Sequence, residues 1–207
     1  MRTSFENWQP LWRRMSESGD GGDWHARLIS AWSEPQRAYH TLQHLDECLR
    51  FFDEIKAAGL MSRPDLLEMA LWFHDVVYDP KGSDNEERSA GLALQALADG
   101  EAAPEVARLI MLTKSHTSGD GSDDAWIIDI DLAILGQPWE RVLEYEGQIR
   151  QEYSWVPEEV YREKRVEILR GFLDRKQLYL TVWARQRLEQ PARENLRRLI
   201  GIVAASA

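Results

Sequence analysis

Two imidazoles and two carboxylates stand where a helical chain would be expected to bury aliphatic groups: His44, the doublet His74–Asp75, and Asp131. The doublet interrupts Leu71, Trp72, Phe73, Val76 and Val77 in the run "LWFHDVVYDP". His44 immediately precedes Leu45 in "RAYHTLQHLDE", and Asp131 falls within "IIDIDLAILG". An unpaired carboxylate or imidazole in an apolar interior is costly, so each of these groups needs a hydrogen bond, an ion pair or a metal. Each has a local explanation: a core histidine donating to a carbonyl, or an aspartate paired at the edge. The spacing of His40 and His44 is by itself a weak metal signature. A shared interior accounts for the whole set at once. Two imidazoles and two carboxylates can bind a divalent transition metal, Mg²⁺ or Mn²⁺ and leave positions open for water and substrate.

The elements that must position these groups read as helices. Residues 41–58 carry the stripe Leu42, Leu45, Leu49, Phe52 and Ile55, with Thr41 as cap and Gly59 as stop. Residues 64–77 begin at Pro64, which suits a first helical turn, and place His74 and Asp75 beside the stripe of Leu67, Ala70 and Leu71. Further helices fit residues 85–98, 104–114, 126–135, 139–155, 158–175 and 181–204. In residues 126–135, Asp131 shares a face with Ile127, Ile128, Ile134 and Leu135, which selects it over Asp129 as the inward carboxylate. Turn signals occur at "DPKGSD", "SGDGSDD" and "GQP", none of linker length. The expectation is an all-α, single-domain helical bundle over residues 1–207, with a metal-binding core over about 37–135 and C-terminal helices over 139–204 packed on it.

Composition narrows the classes of function. The chain has 207 residues, 43% of them hydrophobic, and nine tryptophans, enough for one substantial core. A formal net charge of −10 argues against a nucleic-acid polymer as partner, which needs a basic face. It leaves room for a small phosphorylated substrate held by a metal or a few local cations. Cys48 is the single cysteine, so neither an intrachain disulfide nor a cysteine-based zinc site is expected; in "ECLRFF" it reads as a buried, inert thiol. Neither a signal-peptide pattern nor a membrane-spanning run is visible, so a cytoplasmic protein with no membrane partner is expected. Trp8, Trp12, Trp24 and Trp32 suit a core or an oligomer contact and leave a homodimer open, while His25 reads as structural.

The order H…HD…D on successive helices resembles the HD superfamily of metal-dependent phosphohydrolases. More narrowly, "RAYHTLQHL", "WFHDVVYDPKGSDNEERSA", "TKSH" and "DIDLAILG" resemble a bacterial branch described as predicted HD-type phosphohydrolases, and "YEGQIRQEY" and "PARENL" fit the same branch. The resemblance implies an HD-type helical bundle in which His44, His74, Asp75 and Asp131 hold one divalent cation: Mn, Mg, Co, Ni, Zn or Fe. It also implies hydrolysis of a phosphate ester or nucleotide phosphate bond by metal-activated water.

Residues after the doublet often position that water or protonate the leaving group, and here the candidates are Asp79 and Glu86. Several HD phosphohydrolases carry a glutamate three residues after the doublet's aspartate, where this chain has Tyr78. Two-metal HD proteins use further histidines between the doublet and the last aspartate, where this chain has only His116, so one metal is expected. The candidate substrate contacts are Arg37 and His40 before the first ligand, Lys114 and His116 in "TKSH", and Arg150 in "IRQEY". Lys114 could equally complement a helix dipole. A metal- or nucleotide-binding module without catalysis is the alternative class, and an oxygenase with two irons is a third that the shortage of histidines disfavours.

Overall fold

Helix α4 (Pro64–Phe73) is buried at every residue from Leu67 to Phe73, all but Glu68 apolar, so it can be satisfied only when other helices surround it. Its neighbours are α1 (Phe5–Met15), α3 (Leu42–Ala57), α5 (Asn85–Ala96) and α6 (Ala103–Ser115), with α2 (Gly22–Trp32) laid against α1. The computed structural model describes residues 1–16, 19–98, 100–117 and 123–205. These divide into two compact units, Met1–Ile130 and Asp131–Ala207. Every regular element among the described residues is helical, so the all-α expectation holds. No helix among them is long and apolar enough to cross a membrane.

In the first unit Trp8, Trp12, Trp32 and Trp72 are core, whereas Trp24 is half-buried. Trp8, Leu11, Trp12 and Met15 recur at helical spacing on α1 and are buried, with Trp8 edge-on to Trp72 of α4. The Trp8 indole donates to the carbonyl of Gly21 at 2.8 Å, and Gly21 holds a left-handed φ of 78° just before α2. His25 lies at 3.0 Å from the Thr3 carbonyl, a structural contact as its isolation in the sequence suggested. The carboxylate of Glu68, buried on α4, is paired with Arg2 and Lys56. Arg63, Glu105, Arg108 and Asp124 form a chain of ion pairs from the start of α4 through α6 to the start of α7 (Asp124–Asp131).

The second unit opens with a 3-10 turn, Leu132–Gly136, followed by α8 (Trp139–Glu152) and α9 (Glu158–Leu173). A short helix α10 (Val182–Ala184) then runs through a π turn, Arg185–Glu189, into α11 (Gln190–Ala205). Tyr179 donates to the carbonyl of Leu132, and the Asn195 amide donates to the carbonyls of Leu135 and Gln137, which holds the 3-10 turn against α11. On α8, the buried Glu146 carboxylate accepts from Tyr161 and Arg165 of α9. Burial raises the Tyr161 phenol above its ordinary range, and the adjacent carboxylate adds to the effect.

Element boundaries differ from the periodicity in two places that matter. The helix expected over residues 64–77 ends at Phe73, so the doublet lies just beyond it rather than on its face. The helix expected over 126–135 ends at Asp131 and tightens into the 3-10 turn. The turn expected at "SGDGSDD" falls largely on residues 118–122, outside the described residues.

Candidate metal centre

The first histidine is set by a cap. Thr41, in extended conformation, accepts the Gln43 amide on its Oγ1, which starts α3 and places His44 in its first turn, 2% exposed. The second histidine is set by a helix end. Past Phe73 the carbonyls of α4 lose their helical partners, and side chains from elsewhere take them up. The Leu71 carbonyl accepts from His74 Nδ1 at 2.8 Å, and the Trp72 carbonyl accepts from the Trp32 indole at 3.1 Å. The Phe73 carbonyl accepts the Val76 amide. Arg37 donates to the carbonyls of Asp75 and Val76 at 2.7 and 2.8 Å, and Ser89 exchanges bonds with the backbone of Val77.

The His74 contact has a chemical consequence. A carbonyl only accepts, so Nδ1 carries the proton, and in neutral His74 the Nε2 lone pair is the one directed away from the helix. His44 Nε2 lies 3.1 Å from His74 Nε2, and Asp75 Oδ2 lies 3.2 Å from His74 Nε2 and 3.8 Å from His44 Nε2. Bonds of about 2.0–2.1 Å from one ion would set neighbouring nitrogen ligands about 3 Å apart, so the two imidazoles have the separation of ligands to a single ion. A metal-binding histidine that donates its other nitrogen to a backbone carbonyl is the usual outer-shell arrangement.

The ligand atoms of His44, Cys48, His74 and Asp131 all lie within 4.8 Å of one another, a group able to hold a metal ion. Asp131 is the last residue of α7, whose other residues belong to the first unit, and the unbroken helix carries it. Burial does not distinguish the two aspartates of "DID" as expected: Asp129 is fully buried and Asp131 only half-buried, but Asp131 is the one that joins the imidazoles.

The remaining candidates are dispersed. His40 lies beside the cluster, with Nε2 4.0 Å from Asp75 Oδ2 and its ring stacked on Tyr78 at 3.9 Å between centroids. Arg37 is buried, and it donates to Glu34 and to the carbonyls of His40, Asp75 and Val76, so it clamps backbone around the doublet. Asp79 is exposed, and its Oδ1 accepts the Lys81 amide within a turn. Lys114 donates to the Ser83 carbonyl and to Glu87, with Glu86 at 3.9 Å; the bond to Glu87 raises its ammonium above the usual lysine range. His116 ends α6 in a left-handed conformation, φ 49°. Arg150 belongs to the second unit, where it donates to Glu158 and the carbonyls of Tyr153 and Val156 and lies over the Tyr161 ring.

A cleft of about 580 Å³ runs along Tyr78 and Asp79, bordered by Trp24, Arg27 and Arg88. Cys48 is the site residue that the sequence signalled least: it lies four residues beyond His44 on one helical face, but a cysteine there reads as ordinary core. Compared with protein-family models, curated proteins and solved structures, the chain matches none.

Proposed function

We propose that this protein is a metal-dependent phosphohydrolase of the HD type, acting on a small phosphorylated substrate such as a nucleotide. The observation that carries the reading is the buried pair of imidazole Nε2 atoms, 3.1 Å apart with Asp75 Oδ2 beside them, held by carbonyl contacts that leave the His74 lone pair facing its partner. A divalent cation held by His44, His74, Asp75 and Asp131 would supply Lewis acidity toward a phosphoryl oxygen and toward water.

The chain's own residues supply position. Arg37 holds the carbonyls of Asp75 and Val76, Trp32 holds the Trp72 carbonyl just before the doublet, and Tyr78 presents His40 toward Asp75. Asp79, four residues beyond Asp75, is the proposed proton carrier; the 580 Å³ cleft it borders has the size for a small phosphorylated molecule and is lined by Val76 to Asp79, although by none of the four ligands. Glu86, which approaches Lys114, is assigned a lesser role in orienting that side of the site.

A non-catalytic metal- or nucleotide-binding module is the second reading. It draws support from the engagement of Arg37, Lys114 and Arg150 with groups of the protein rather than with an open site.

The test is phosphate release from a panel of nucleotides and sugar phosphates with Mn²⁺, Mg²⁺, Co²⁺, Ni²⁺ and Zn²⁺. Turnover with at least one metal, reduced by at least a hundredfold in both His74→Ala and Asp75→Ala, is expected. Metal binding without turnover of any substrate would move the protein to the second reading.

A further inference from the structure

The centre holds a donor that the H…HD…D pattern does not contain. Cys48 lies one turn beyond His44 on the same face of α3, is 3% exposed, and has its Sγ 3.7 Å from both ring nitrogens of His44. A metal–sulfur bond of about 2.3 Å and a metal–nitrogen bond of about 2.0 Å meeting at a tetrahedral angle separate the two donor atoms by about 3.5 Å, close to the Sγ–Nε2 distance. Sγ is equally far from Nδ1, so it sits off the Nε2 lone-pair direction, and coordination requires the Cys48 side chain to turn toward that side of the ring. A tetrahedral site has no opposite donors, so the widest pair in the His44, Cys48, His74 and Asp131 group, within 4.8 Å, closes by about 1–1.5 Å on binding.

We infer that Cys48 is a thiolate ligand of this centre, and that it biases the site toward borderline divalent ions such as Zn²⁺, Fe²⁺ or Co²⁺ and against Mg²⁺. The inference rests on the metal-binding reading above and adds to it both the ligand and the class of ion. Thiolate favours softer metals, imidazole suits Zn, Fe, Co and Ni, and an all-oxygen shell would be needed to favour Mg²⁺. Coordination forms the sulfur–metal bond and breaks the S–H bond, the proton leaving to solvent. Asp75, close to both imidazoles, then serves as a further carboxylate ligand or holds water beside the ion.

Because Cys48 is the single cysteine, the wild-type protein alone can decide the matter. The full chain is stripped with a chelator and titrated with Co²⁺ while its electronic absorption is recorded. Visible ligand-field bands report an occupied site, and a near-ultraviolet sulfur-to-cobalt charge-transfer band reports thiolate coordination. Both are expected in the wild type, with loss of the near-ultraviolet band and retention of the visible bands in Cys48→Ser. Visible bands without the charge-transfer band in the wild type would overturn the assignment of Cys48 while leaving the metal centre intact. Absence of both bands at saturating Co²⁺ would overturn the metal reading and this inference together.

Discussion

One buried guanidinium holds the chain around both histidines: Arg37 donates to Glu34 and to the carbonyls of His40, Asp75 and Val76. Removing it leaves those carbonyls without their donor, that of Val76 in a buried position. Arg37→Met is therefore expected to cost about 3 kcal/mol in urea unfolding, and Arg37→Lys should recover only part of it, because an ammonium cannot reproduce the planar fork. A loss below about 1 kcal/mol would show the clamp to be dispensable. The sequence marks Arg37 as a cation near the first ligand, which suits a phosphate contact. Beside the Glu34 carboxylate, its partners are backbone carbonyls up to 39 positions away, and backbone carbonyls leave no trace in residue type. Cys48 was obscure for a different reason. A buried thiol and a ligating thiol look alike until the neighbouring imidazoles are in place. His44, His74 and Asp131 were legible because polar groups on apolar stripes stand out, and their convergence follows from that pattern.

At the scale of elements, caps and stops written in particular residues were readable: Thr41 begins α3, Gly59 follows it at φ 68°, and Pro64 opens α4. The end of α4 was not, because Val76 and Val77 continue the apolar pattern and only tertiary partners for its carbonyls allow the helix to stop at Phe73. The joint before α2 shows how tightly two elements can depend on one backbone position. Gly21 has φ 78°, and a Cβ there would lie 2.4 Å from the Trp12 ring. Gly21→Ala combines left-handed strain with displacement of a core indole and is expected to cost about 2–4 kcal/mol by thermal or denaturant unfolding. A neutral result would mean that the α1–α2 corner can repack freely.

For the whole molecule, charge sets the response to acid. The formal net charge is −10, yet specific carboxylates are held ionised by cations. The hydrogen bond to Arg108 dominates at Glu105, and together with Arg63 it depresses that carboxyl to about 2 from an ordinary 4.5. A folded-state pKa below the unfolded one gives stability that is present above pH 4.5 and is lost as the pH falls from 4.5 toward 2. Unfolding free energy measured against pH should therefore drop across that window, and Glu105→Gln should flatten the drop. An unchanged acid limb in the variant would assign the acid sensitivity to other carboxylates.

The unwound end of α4 also bears on how such a centre is inherited. Its shape is written as much by Trp32, Arg37 and Ser89, through their bonds to the backbone, as by the side chains of the candidate metal centre. Two chains could share every ligand letter and still differ in chemistry if one of these supports had drifted. A search by ligand pattern alone would see the letters and miss the support on which their meaning depends.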